Sequence, residues 1–97
     1  MVVGCLELTL HLSAAQSLKD KRSVIKRCIE RVKSRFNVAA AEVGANEEHN
    51  RAIIGFTTVA NDSSFVNSVL DKVQNQVEDD ALGLAEVVDR RIELLHV

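Results

Sequence analysis

An α+β sandwich with the element order βαββαβ is the fold this sequence predicts, and three observations predict it. Residues 2–12 alternate in a period of two, the mark of a half-buried strand. Two stretches, opening near Ser17 and Asp62, repeat their apolar residues at spacings of three and four, as helices packed on one side do. A length of 97 residues leaves room for one core and therefore one domain, residues 1–97.

Each element follows in order. In Val2–Leu12, the residues Val2, Leu6, Leu8, Leu10 and Leu12 share one face, with Val3, Cys5, Glu7, Thr9 and His11 on the other. Ser13–Gln16 is a short connector. Ser17 caps a helix, and Asp20 three residues later completes an imperfect capping box with its charge at the favourable end. Leu18, Ile25, Cys28, Ile29, Val32 and Phe36 form the core stripe of that helix, and Asn37 is the expected left-handed C-terminal cap. A second strand, Val38–Ala45, is weakened by its alanines and ends in the polar turn Asn46–Asn50. Arg51–Ala60 is a third strand, apolar or neutral on both faces. Asn61 and Asp62 offer N-caps for a second helix with the stripe Phe65, Val66, Val69, Leu70, Val73 and Val77. Asp79–Gly83 is a loop, and Leu84–Leu95 is a last strand whose parity breaks between Val87 and Val88, predicting a bulge or an edge position.

Right-handed crossovers then place both helices on one face of a four-stranded antiparallel sheet, the ferredoxin-like arrangement. The opposite face stands open and carries Val3, Cys5, Ile53 and Val59. An apolar open face argues for a partner, and a second copy of the chain is the simplest one, so a homodimer is expected.

The composition, 46% hydrophobic and 27% charged, is that of a globular chain. Two cysteines, Cys5 and Cys28, are too few for a disulfide scaffold. Met1–Leu12 has no basic leader region, and no stretch reaches the ~20 apolar residues of a membrane span, so by elimination the expectation is a soluble cytoplasmic protein. The net charge of −2 hides a two-sided molecule. Residues 17–36 hold eight basic side chains against Asp20 and Glu30, while the remainder holds four basic and twelve acidic ones.

The run Gly4–Leu12 (GCLELTLHL), Ser17-Leu18-Lys19-Asp20-Lys21-Arg22 opening a helix, Arg35–Val38 (RFNV) and Gly55-Phe56 followed by Asn61-Asp62 resemble the YlxP-like family, a bacterial domain family of unknown function. The resemblance runs nearly end to end and is most specific at residues 17–22, close to that family's S-L-K-x-K-R. It implies a ferredoxin-like fold. Genes of the family often lie among translation and ribosome-maturation genes, which implies a role near RNA or the ribosome. Where relatives often carry an aromatic before the third strand, this chain has Glu48 and His49.

The basic helix is the leading candidate surface. At 100° per residue, Lys19, Arg22, Lys26 and Lys33 fall within about 60° of arc, a row suited to following phosphates. The bland alternative is a solvated face. Lys21 falls on the apolar side of the wheel, either snorkelling past the core edge or turning its ammonium toward a ligand beside the helix start; it joins the candidate nucleic-acid set. Only three aromatics are present, so a base-stacking RNA-recognition motif is disfavoured. His11, His49 and His96 lie in three different elements, no metal spacing occurs, and no glycine loop cradles phosphate. Nor does the connector Ser13–Gln16 hold the arginine of an acylphosphatase loop. The expectation is a non-enzymatic binding module without cofactor or metal, acting near RNA or the ribosome. The alternative is a homo-oligomeric small-molecule-sensing or protein-interaction scaffold.

Overall fold

The computed structural model describes residues 1–97, and the rest is assembled on its first strand, β1 (Val2–His11). Four leucines, Leu6, Leu8, Leu10 and Leu12, lie buried on one side of the chain at β1 and just beyond it. An apolar row of this kind is most fully withdrawn from water in the middle of a sheet, under a helical layer. The observed order, β2-β3-β1-β4, gives it that place. β3 (Arg51–Ala60) and β4 (Glu86–His96) flank β1 antiparallel, and β2 (Ala39–Gly44) extends the sheet beyond β3. Opposite Leu6, Leu8 and Leu10 stand Phe56, Ile54 and Ala52, all buried. Each large apolar side chain withdrawn from water here stabilises the fold by about 2 kcal/mol.

The two helices cover the leucine side. α1 (Leu18–Arg35) is capped by Ser17, whose Oγ accepts from the Asp20 N–H at 3.1 Å; Asp20 reaches back to the Gln16 N–H at 3.0 Å. It buries Lys21, Ile25, Cys28 and Val32. α2 (Ser63–Asp80) is capped by Asp62, which accepts from the Ser64 hydroxyl at 2.7 Å and the Phe65 N–H at 2.9 Å. Those two bonds hold the Asp62 carboxyl below its ordinary value, so the stabilisation they give is present above the usual carboxylate range and is lost on acidification through the lowered one. α2 buries Val66, Leu70, Val73 and Val77 and lies close on β1. A Cβ at Gly4 would overlap Val66 Cγ1 and stand 2.9 Å from Leu70 Cδ1, so only glycine lets the helix approach that far.

The sandwich is as expected, with four local corrections. Asn37 is not a left-handed cap: α1 ends at Phe36 in extended backbone, its N–H donating to Val32 O, because the chain runs straight on toward β2. Phe65 is not in the core stripe but 58% exposed, since it stands 100° round the helix from its buried neighbour Val66. β2 is two residues shorter than Val38–Ala45, and α2 runs on to Asp80. The broken parity of the last strand is a bulge. Thr9 pairs with Asp89 and Leu10 with Val87, which leaves Val88 without an opposite residue on β1. A second register shift sets Val43 apart in β2, and Ala45 follows in the left-handed region at φ 57°.

One polar group lies inside this architecture. Lys21 is wholly buried, and its ammonium donates to the carbonyls of Ala45 (2.8 Å), Asn46 (3.3 Å) and Arg51 (3.3 Å) while standing 2.8 Å from Glu42 Oε2. It therefore ties α1 to both ends of the β2–β3 turn and neutralises the one acid that β2 turns under the helix. Lys21→Met leaves Glu42, whose side chain is only 17% exposed, without a counter-charge and strips the turn of its donor. Urea unfolding should show a loss of about 3 kcal/mol. The exposed neighbour variant Arg22→Met should stay within about 0.5 kcal/mol of the parent. Equal effects of the two would mean that Lys21 is no clamp.

Candidate functional site

α1 presents its cations in two rows. Lys19, Arg22, Lys26 and Lys33 are exposed along the flank that overhangs β2. Of these only Lys26 has an acid within reach, Glu30 at 4.0 Å; Lys19, Arg22 and Lys33 have none. Arg31 and Arg35 turn the other way, toward α2. Arg31 stands 3.7 Å from Asp80, and Arg35 donates to Gln76 while its guanidinium lies 5.7 Å from the Phe36 ring centroid. Arg27, exposed and without an acid partner, sits between the rows beside a shallow groove of about 410 Å³ that also involves Ser23, Lys26 and Ser34. The wheel identified the first row but not Arg27, whose position falls outside the 60° arc.

Lys21 is removed from the candidate nucleic-acid set. A side chain with no exposed surface and four oxygen partners has nothing left to offer a phosphate. The wheel placed it correctly on the apolar side; the acceptors come from a turn more than twenty residues away, which no local pattern reveals.

The open sheet face carries all four residues expected there. Val3, Cys5 and Ile53 are half-buried, and Val59 is 59% exposed. β2 and the centre of β3 add Ala39, Ala41, Val43, Gly55 and Thr57. Together with Cys5 and Glu7 these line a shallow depression of about 340 Å³. The β2 residues were missed because a run of three alanines has no parity of its own; it is assigned only through its pairing with β3. On the β4 side the same face is charged, with Arg91 opposite Glu7 and Glu93 opposite Cys5.

The titratable groups suited to chemistry are scattered. His11 ends β1, His49 lies in the β2–β3 turn and His96 ends β4; no three His, Cys, Asp or Glu side chains converge in a way that would hold a metal ion. The two cysteines are free and lie on opposite sides of the sheet, Cys5 on the open face and Cys28 in the core. Burial pushes the Cys28 thiol up to about 11, with Asp80 adding to the rise and Arg27 and Arg31 opposing it. Native protein treated with iodoacetamide at pH 8 should therefore leave Cys28 unlabelled, and Cys28 should take the label only after unfolding. Because the folded state holds the Cys28 proton more tightly, its contribution to stability is full below pH 9 and is lost as pH rises toward 11. Two labels on the native chain would contradict this placement.

Comparison with known proteins agrees with this architecture. A family model described as "Protein of unknown function (DUF503)" matches residues 3–92. The uncharacterized protein YlxP of Bacillus subtilis (strain 168) is 32% identical over 72 residues, 74% of this chain and 78% of that protein. Among solved structures, a de novo designed protein with a ferredoxin fold superposes with a TM-score of 0.67 at 12% identity, over 96% of this chain and 86% of the design. A putative chlorite dismutase gives 0.67 at 7% identity, covering 97% of this chain but only 42% of its own length. A dimeric ferredoxin-like protein of unknown function from Thermobifida fusca gives 0.50 at 10% identity, over 98% and 92%. At such identities these structures establish the fold and nothing more. No helix is long and apolar enough to cross a membrane. With its central 90 residues matched by the family model and a relative at 32% identity, this chain belongs to the DUF503 family, the YlxP-like proteins of unknown function.

Proposed function

We propose that the protein is a non-enzymatic cytoplasmic binding module that follows the phosphate backbone of RNA, on or near the ribosome, with the exposed flank of α1. One observation carries this reading: Lys19, Arg22, Lys26 and Lys33 share one flank of a single helix and are nearly free of acid partners, on a chain whose net charge is −2. Glu30 is the single exposed acid on that flank, fewer than a purely solvated helix face in an acidic protein would be expected to carry. The spacing suits polyanion contact, in which each neutralised phosphate releases counterions. The scarcity of aromatics restricts recognition to backbone contact without base stacking.

The chain works as a homodimer in this reading, joined through the open sheet face. Val3, Cys5, Ile53 and Val59 form an apolar surface of the kind that partners cover. The dimeric ferredoxin-like protein of Thermobifida fusca lends support by its shape alone.

Two measurements test the two halves. Polyuridylate binding should fall by about 50-fold between 50 and 200 mM salt if four phosphates are neutralised on a single strand. Arg22→Glu with Lys26→Glu should abolish it while leaving the unfolding midpoint nearly unchanged. Absence of salt-dependent binding by the parent chain, to polyuridylate and to ribosomal particles alike, would reduce the row to a solvated face. Light scattering at micromolar concentration should report a dimer, and Cys5→Glu should shift it toward monomer. A monomer at every concentration would sink the sheet-face assembly.

A further inference from the structure

The strand order leaves two free edges, and they are not alike. Sheets guard their edges with charge, proline or bulges, because an exposed row of main-chain donors and acceptors recruits other strands. β4 is guarded: it has the Val88 bulge and the charged run Asp89, Arg90, Arg91 and Glu93. β2 reads Ala-Ala-Ala-Glu-Val-Gly, with no lysine, arginine or proline. Its only charge, Glu42, is turned under α1 and neutralised by Lys21, so it repels nothing. The bulge at Val43 ends the regular stretch, which leaves Ala39–Glu42 as a bare acceptor.

The phase of that acceptor follows from the register. Leu12 N–H donates to Asn50 O at 2.8 Å, in continuation of the β1–β3 pairing. Even-numbered residues of β3 therefore bond to β1 and odd-numbered ones to β2. Ala39 and Ala41 pair with Thr57 and Gly55, so Ala40 and Glu42 turn their main-chain groups outward. A strand laid beside them would meet two different chemistries. On the helix side it would pass Arg22, Lys26 and Ile29, which share a shallow recess with Glu30 and Glu42, and the exposed Lys33 of the same flank. On the open side it would pass Ala39, Ala41 and Val43 and the depression between them and Cys5.

We propose that the β2 edge docks an extended segment of another protein that alternates acidic and apolar residues, added to the sheet as a fifth strand. Main-chain bonds to Ala40 and Glu42 supply the register. Acidic side chains of the segment face the cations of α1, and its aliphatic side chains cover Ala39, Ala41 and Val43. Charge decides against a second copy at this place, because pairing two β2 edges would set two cationic α1 flanks side by side. The inference goes beyond the phosphate reading and does not need it, although both use Arg22 and Lys26.

The test uses the full-length 15N-labelled chain and a capped nine-residue peptide that alternates glutamate and valine. Saturable binding is expected, with the Ala40 and Glu42 amides at least tenfold better protected from exchange. The same peptide with lysine for glutamate should not bind. Val43→Glu, an exposed change that leaves the fold intact, should weaken binding at least tenfold, and Ala40→Pro should abolish it by removing an outward donor. Shifts confined to α1, with no protection at Ala40 and Glu42, would overturn the proposal and leave a general anion surface. Protection of those amides that grows with protein concentration in the absence of peptide would overturn it in favour of a second copy. Polyuridylate that fails to bind leaves the peptide result standing, so the two readings fail separately.

Discussion

The ammonium of Lys21 is the constraint from which the rest of the molecule takes its geometry. A charge without access to water is tolerable only when oxygen atoms replace its hydration shell, and here three carbonyls and one carboxylate do so. Those oxygens belong to β2, to the β2–β3 turn and to the start of β3, so satisfying one side chain fixes where α1 lies over the sheet edge. The left-handed Ala45 and the register shift at Val43 stand beside the same atoms. They bend the chain so that its carbonyls converge on one point. Hydrophobic burial holds the two layers together, but burial is non-directional. The directional link between helix and hairpin is this cluster.

Much of the fold was legible because its periods are clean. The leucines of β1 alternate without exception, and Ser17 and Asp62 mark the helix starts by the chemistry that caps them. The bulge in β4 was visible as a change of parity. What was not legible is of two kinds. Alanines carry no parity, so the face assignment of β2 had to come from β3, and with it the lower half of the open face. Polar burial depends on acceptors far along the chain, so Lys21 looked like a snorkelling residue or a ligand-facing one until the turn was placed above it. Phe65 shows a third limit: an apolar residue adjacent to a core position lies 100° away and has no claim on the core.

The candidate surfaces divide the sandwich by chemistry. The helix layer is cationic where it overhangs β2, and Asp80 of α2 engages Arg31 on its other flank. The open face is apolar toward β2 and charged toward β4. Both gradients meet at the β2 edge. A protein with only three phenylalanines and no tryptophan or tyrosine has few large hydrophobic anchors to present, so main-chain groups and aliphatic stems must carry more of any recognition.

The central place of β1 has a consequence during synthesis. Its neighbours in the sheet are β3 and β4, drawn from the middle and the end of the chain. At roughly 5–20 residues per second, several seconds pass between the emergence of Leu6 and that of its partner Ile92. For that interval the leucine row has one flank unpaired at best, and pairings this distant in sequence are slow to close. The nascent chain thus carries a sticky strand that waits for its last partner.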